Sequence, residues 1–472
     1  MEDARIGQVA WEGIGLSRRL VFFRALRDAL YRHQNQVIDT LVAEQGKVRH
    51  EATLEYLAVL EMLTFYSRVA RQVLAPQTIS VRLIPQRRYI VERRPFGVAL
   101  VIAPWNYPLF LSFEPIAAAL LAGNSVVYKP SEYATQVGEV IAAVIASAGI
   151  PSEVFHIVHG YGDVGAALIE AQPDRIVFTG SVPTGKKVAE AAARHLIPVT
   201  LELGGNDAAI VLDDADLEKA AAGIVWGGMF NAGQTCASVE RVLVMRPVAD
   251  RLLQAMRREI EQHLLTPDGR LKPGLTNLTT ARQVDILESQ VNEALKQGAS
   301  VYLGGYRPDE AGPPRYAPTI LTDVTPEMRI CQEETFGPVI AVMVVDDEDE
   351  AVHLNNATVY GLTASIWTRN KARGMALAHR LNVGHVSINE HMVISGVPEV
   401  PWGGVKSSGY GRMHGRAGLL EMTYSQTIDV KRFPTPFEPF WYPYSASKQA
   451  LLRRAVSLLY GTTLLDKLRG LL

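Results

Sequence analysis

Apolar positions at helical spacing dominate the first part of the chain. Leu20, Phe23, Leu26, Leu30, Val37 and Leu41 recur among Arg, Glu and Gln, so residues 15–75 read as helical. The pattern then changes period. Thr78-Ile79-Ser80-Val81-Arg82-Leu83 and Arg88-Tyr89-Ile90-Val91-Glu92 read as extended, with a turn at Pro85, and predict a hairpin over 78–95. From residue 97 onward short β-rich runs alternate with Ala-rich helical stretches. Val98–Ala103, Ser125–Tyr128, Val154–Val158, Arg175–Thr179 and Val199–Leu203 are the strands, and 109–122, 135–149, 162–171 and 184–195 the helices. Such alternation sets parallel strands side by side with crossover helices, a doubly wound, Rossmann-like α/β sheet. The pattern resumes after residue 236 with strand Arg241–Met245, helix 247–263 and strands 339–345 and 385–388, which predicts a second α/β domain. Residues 422–432 read as one more strand.

Composition narrows the class. A chain of 472 residues exceeds one simple core, so two or more domains are expected. With 48% hydrophobic and 20% charged residues it reads as a soluble globular protein. A net charge of −2 argues against nucleic acid as its main partner. Only Cys236 and Cys331 are present, so there is no disulfide framework, and a reducing, cytoplasmic setting is the natural reading. Met1-Glu2-Asp3-Ala4-Arg5 lacks a signal-peptide pattern, and no apolar run is long enough to span a bilayer. The 11 histidines show no ligand spacing, so no metal is expected.

Ligands of a doubly wound sheet bind outside the carboxyl ends of its strands, and the polar motifs fall there. Cys236 closes the polar turn Phe230-Asn231-Ala232-Gly233-Gln234-Thr235-Cys236, and Glu202 lies upstream in Leu201-Glu202-Leu203-Gly204-Gly205. A thiol has an unperturbed pKa of about 8.5 and needs help to attack near neutrality. A carboxylate supplies that help and can later activate water. Together the two segments point to covalent thiol catalysis. Cys331, beside Ile330, reads as a structural thiol. Asn106, in Ala103-Pro104-Trp105-Asn106-Tyr107-Pro108, either donates to an oxyanion at the attacked carbonyl or caps the next helix.

Three further strand-end segments admit a cofactor or a plain turn. In Lys129-Pro130-Ser131-Glu132, Glu132 can accept from ribose hydroxyls and Lys129 can donate to the same sugar. A carboxylate there disfavours a 2′-phosphate, which favours NAD and leaves NADP as the alternative. Otherwise the tetrapeptide is a solvated turn. Phe178-Thr179-Gly180-Ser181, with Gly185, lets backbone approach a phosphate at a helix N-terminus, or is a tight turn. Glu334 and Phe336 pair a hydroxyl acceptor with a planar ring, or are ordinary surface residues.

In this order and spacing the motifs resemble the aldehyde dehydrogenase superfamily over roughly residues 10–432. The resemblance implies Cys236 as nucleophile, Asn106 with the Cys236 N–H as oxyanion hole, and Glu202 as the base that hydrolyses the thioester. It carries cofactor contacts to Trp105, Lys129, Ser131, Glu132, Gly180, Ser181, Gly204, Glu334 and Phe336. It implies a cofactor-binding domain over 1–77 and 96–203 and a catalytic domain over 204–400. A bridging β oligomerisation element over 78–95 and 401–432 implies a homodimer or homotetramer. At Glu114 the chain departs from the family pattern, and that residue reads as a structural acid or an alternative proton acceptor. CoA-acylating chemistry and a non-catalytic binding protein are the competing readings, and Glu202 speaks against the first.

The tail, 433–472, lies outside the motif-bearing core. Within 448–472, Leu451, Leu452, Ala455, Val456, Leu459, Leu464, Leu465 and Leu468 alternate with Lys448, Arg453, Arg454, Lys467 and Arg469. Such a basic amphipathic segment either packs on protein or makes peripheral contact with a membrane. A long tail of this kind is similar to that of aldehyde dehydrogenases acting on fatty or other apolar aldehydes. With Tyr107, Phe110, Met229 and Met392 near the expected tunnel, whose wall includes 390–400, it points to an apolar aliphatic or aromatic aldehyde of medium to long chain.

Overall fold

Six strands line up in the order Gly409–Tyr410, Val199–Glu202, Arg175–Thr179, Val98–Ile102, Ser125–Lys129, Phe155–Ile157 in the computed structural model. It describes residues 1–84, 86–272, 275–308, 312–434, 438 and 440–471. The expected Pro85 turn and the last residue of the 448–472 tail lie outside these. All neighbours in the sheet run parallel except the short Gly409–Tyr410 edge. Both faces are buried, as a parallel sheet requires. Val98 and Leu100 pack with Val127, Ile176 and Leu201 on one face. Ala99 and Val101 pack with Val126, Tyr128 and the helical residues Leu26, Leu63 and Phe113 on the other.

The first strand in sequence, Val98–Ile102, is central, with its successor on one side and Arg175–Thr179 on the other. The strand order reverses there, which opens a crevice beyond the carboxyl ends. The strands and helices expected over 98–203 agree with the structure to within two residues at each end. The helical stretch 15–75 is three helices, Gly15–Arg32, Gln34–Gln45 and Arg49–Val73, preceded by Glu2–Gly13, which the apolar spacing did not reveal.

A second sheet has seven strands in the order Ser300–Leu303, Thr319–Thr322, Val339–Val345, Val239–Met245, Asp207–Val211, Thr363–Trp367, His385–Ile388. Only the outer pair, Ser300–Leu303 with Thr319–Thr322, is antiparallel. The doubly wound α/β fold and the second α/β domain expected from the pattern are both present.

Residues 1–75 and 93–425 form one compact unit that holds both sheets, and residues 76–92 and 426–472 form a second. The second unit is built on a three-stranded sheet of order Gln77–Ile79, Arg87–Pro95, Thr423–Lys431. Its first two strands are antiparallel. Within it, helix Ala446–Tyr460 starts at Ser445, whose side chain accepts from Lys448 N, and exposes Leu451, Leu452, Val456 and Leu458. Among the described residues no helix is long and apolar enough to cross a membrane.

Candidate active site

Three neighbouring strands of the first sheet deliver the polar motifs to one place. Val98–Ile102 runs into the turn that carries Trp105 and Asn106. Arg175–Thr179 ends at Gly180 and Ser181, and Val199–Glu202 ends on Glu202 itself. Ser181 is the N-cap of helix Val182–Arg194, but its hydroxyl bonds Thr184 Oγ1 at 3.0 Å and caps no backbone N–H. The helix therefore presents free N–H groups toward the crevice, the usual anion-binding end.

The cysteine loop follows helix Leu217–Met229 and turns on three successive left-handed residues, Asn231, Ala232 and Gly233 (φ 54°, 55° and 72°). Glycine is required at the last. A Cβ on Gly233 would lie 2.2 Å from Gly337 O. Buried Asn231 holds the loop to the first sheet: its Nδ2 donates to Asn106 O and to Gln234 O, both at 3.2 Å. Asn106 Nδ2 donates to the same Gln234 carbonyl at 3.1 Å. That bond uses one of its two amide hydrogens. Tyr107 OH meets Thr235 Oγ1 at 2.7 Å, next to the cysteine. The following helix, Phe110–Ala122, is capped by buried Glu55, whose Oε1 accepts from Leu109 N (2.9 Å) and Phe110 N (3.1 Å). Glu55 in turn pairs with buried Lys47 at 2.5 Å.

Cys236 is half-buried and lines two cavities. One, of about 290 Å³, also meets Asn106, Glu202, Gly204 and Glu334. Trp105, Gly180, Ser181 and Phe336 complete its wall, with Trp105 and Phe336 in edge contact at 5.5 Å. The other, of about 470 Å³, is mostly apolar, with Tyr107, Phe110, Leu111, Trp226, Phe230 and Met392 on its wall. Lys129, Ser131 and Glu132 stand apart from both, at the end of the next strand along. Lys129 is buried and makes no ion pair among the described residues; its Nζ donates to Pro130 O at 3.2 Å and has two donors left. Ser131 Oγ accepts from Tyr133 N at 3.3 Å, and Glu132 is exposed.

The electrostatics are those of a dry site. Glu202 is buried, and neither carboxylate oxygen has a hydrogen-bond partner among the described residues. Burial pushes its carboxyl well above the usual range, the Glu114 carboxylate adds to this, and Arg412 opposes it. Burial likewise raises the Cys236 thiol, with help from Glu334, Asp207 and Glu202, so the resting cysteine is protonated. Glu334 is raised by burial and by Glu240. It occupies the space that glycine leaves at 204, where a Cβ would sit 2.1 Å from Glu334 Oε2, and its Oε1 accepts from Gly205 N at 3.2 Å.

Several site-building residues escaped the sequence reading. Glu240, buried inside strand Val239–Met245, accepts from Thr335 N and Phe336 N at 2.8 Å and from Asn206 Nδ2 at 2.8 Å, which fixes the loop bearing Glu334 and Phe336. Arg412 donates to Gly404 O and Gly411 O beside Glu202. His414 lies 3.1 Å from Glu114 and stacks on Trp402. Glu114 also accepts from His414 N at 2.6 Å, so it pins the late loop to helix Phe110–Ala122. The only local signal was a charge inside an apolar run, as at Glu114 and Glu240.

The open helix end at Ser181 and the buried ammonium of Lys129 are donors of the kind a phosphate and a ribose of a dinucleotide need. Comparison with known proteins agrees. The sequence pattern of the aldehyde dehydrogenase family matches residues 1–428. The chain is 38% identical over 464 residues to a 4,4'-diapolycopene aldehyde oxidase of Methylomonas, covering 98% of this chain and 86% of that one. A crystal structure of an NAD-dependent aldehyde dehydrogenase from Sinorhizobium meliloti superposes with a TM-score of 0.86 at 35% identity, covering 92% and 87% of the two chains. Lactaldehyde dehydrogenase from Escherichia coli gives 0.86 at 32%, covering 91% and 89%. Sequence and fold thus agree, and the chain, which gathers a thiol and a buried carboxylate in one crevice, belongs to the aldehyde dehydrogenase family of NAD(P)-dependent oxidoreductases.

Proposed function

We propose that this enzyme oxidises apolar aliphatic or aromatic aldehydes of medium to long chain to the free acid, with NAD preferred over NADP. The observation that carries the reading is Cys236 at the junction of two cavities, one mostly apolar and one bearing Glu202, whose carboxyl group has no hydrogen-bond partner among the described residues. The aldehyde enters from the apolar side. Cys236 Sγ adds to its carbon as the thiol proton passes to water entering the cavity, and the free amide hydrogen of Asn106 and the Cys236 N–H stabilise the oxyanion. Bound NAD(P)+ supplies the hydride acceptor that turns this adduct into a thioester. Glu202 then takes a proton from water, whose oxygen attacks the acyl carbon, and the acid leaves as the thiol reforms. Trp105, Gly180, Ser181, Gly204, Glu334 and Phe336 would hold the cofactor from the nicotinamide end, and Lys129, Ser131 and Glu132 from the adenosine ribose.

In this reading 1–77 and 96–203 serve the cofactor, 204–400 the chemistry, and 78–95 with 401–432 assembly as a homodimer or homotetramer. The exposed apolar residues of helix Ala446–Tyr460 support a covered face on the tail, by a partner subunit or by peripheral membrane contact. Light scattering and vesicle sedimentation separate these. The substrate test is kcat/KM for acetaldehyde, octanal and decanal. The reading expects the longer chains to win, and a clear preference for acetaldehyde would sink it.

A further inference from the structure

One stripe of helix Leu217–Met229 and the residue after it faces empty space on two sides. Ala222, Val225, Trp226, Met229 and Phe230, at i, i+3, i+4, i+7 and i+8, line a further cavity of about 420 Å³. Cys236 does not touch this cavity, but Trp226 and Phe230 line it and the apolar cavity at Cys236 alike. Their rings meet at 5.3 Å, so two side chains form the partition between the two spaces. Leu264, Leu271, Leu278 and Tyr316 add apolar surface to the far wall, and His50, Glu51, Glu259, His263, Thr276 and Arg315 give it a polar side.

Protein interiors are close-packed, and a helix stripe normally buries itself against side chains. Here it borders a space within the range, about 300–1,000 Å³, that holds a drug-sized ligand. We infer that the Trp226–Phe230 pair is a chain-length gate, and that the second cavity is a subsite for the distal part of long-chain aldehydes. Chains that fit the first cavity stop at the gate. Longer ones displace the two rings and continue along the helix stripe. Neither ring is locked: Trp226 is 40% exposed, and Phe230 is half-buried. The occupant is the tail of a substrate already held at Cys236, because the two cavities share the Trp226–Phe230 wall and the helix stripe that continues from it into the second is apolar. This inference rests on the apolar-aldehyde reading above.

The test fills the second cavity from exposed positions that lie away from the first. Ala222→Trp and His263→Trp both do so. Each buried methylene is worth about 0.8 kcal/mol, or about fourfold in affinity. Losing two or more should lower kcat/KM for hexadecanal by roughly tenfold or more relative to octanal. Equal effects on both aldehydes, or none, would overturn the gate. If neither variant folds, the chain path in a crystal of Glu202→Gln acylated from hexadecanal decides: density past Phe230 into the second cavity supports the gate, and density leaving to solvent refutes it. Failure of the parent reading looks different, since the wild-type enzyme would then prefer acetaldehyde to octanal.

Discussion

Replacing Glu202 by Gln separates the two halves of the proposed cycle. The side chain keeps its size, and neither carboxylate oxygen has a hydrogen-bond partner among the described residues to lose. Acylation should therefore survive, giving a burst of about one NAD(P)H per subunit. Steady turnover should fall by roughly 10²–10⁴, the usual contribution of a positioned general base. Stopped-flow absorbance reads the burst, and intact-protein mass reads the acyl group left on Cys236. Stability gives an independent check. The folded carboxyl holds its proton more tightly than the unfolded one, whose pKa is about 4.3. Above that pH the unfolded chain releases the proton first, so this group lowers stability as pH rises toward its folded pKa, by at most about 1.4 kcal/mol per unit. Gln has no proton to release. The variant should match wild type in acid and melt higher near neutrality. Normal steady turnover would refute Glu202 as the deacylation base, and a variant that melts lower at every pH would refute the claim that it is an unpartnered buried acid.

Three other outcomes follow from the geometry. Cys236→Ala should abolish turnover while isothermal titration still detects NAD binding, since the thiol shares the crevice but carries none of the expected cofactor bonds. Glu132→Gln should raise kcat/KM with NADP relative to NAD, because a neutral side chain no longer repels a 2′-phosphate; an unchanged ratio removes Glu132 as the ribose reader. Glu240→Ala removes the acceptor of the buried Thr335 N–H and the part-buried Phe336 N–H, while Asn206 Nδ2 keeps Glu333 O at 3.2 Å. It should destabilise the fold by about 1–3 kcal/mol per orphaned group, read by urea unfolding, and raise the KM for cofactor through the loop bearing Glu334 and Phe336.

The parts of the fold legible in the sequence are those whose periodicity is local. Arg175–Thr179, Val339–Val345 and His385–Ile388 are apolar runs bounded by turns and were readable to the residue. Asp207–Val211 and Thr363–Trp367, interior strands of the second sheet, were missed because Asp207, Ala208 and Ala209 in one and Ala364 and Ser365 in the other dilute the β-branched and aromatic residues that mark a strand. Helix Leu217–Met229 was missed because Gly223, Gly227 and Gly228 break its pattern; two of them admit Trp367 and Ile340 against the backbone. In the site, Cys236, Glu202 and Asn106 stood out because each sits in a short polar or glycine-containing segment, Asn106 in the turn after a strand, Glu202 at a strand end before two glycines and Cys236 in the loop after a helix. Glu240, Asn206, Asn231, Arg412 and His414 did not. The partners of Glu240, Asn206, Asn231 and His414 lie far away in sequence, and Arg412, whose own bonds are local, meets Glu202 only in the fold.

The measurement that bears most directly on the account is product analysis with decanal, NAD and no CoA. The account predicts NADH and decanoic acid in equal amounts, turning over many times per Cys236. NADH formation that stops after one equivalent and resumes only when CoA is added would contradict it and place the enzyme among acylating dehydrogenases.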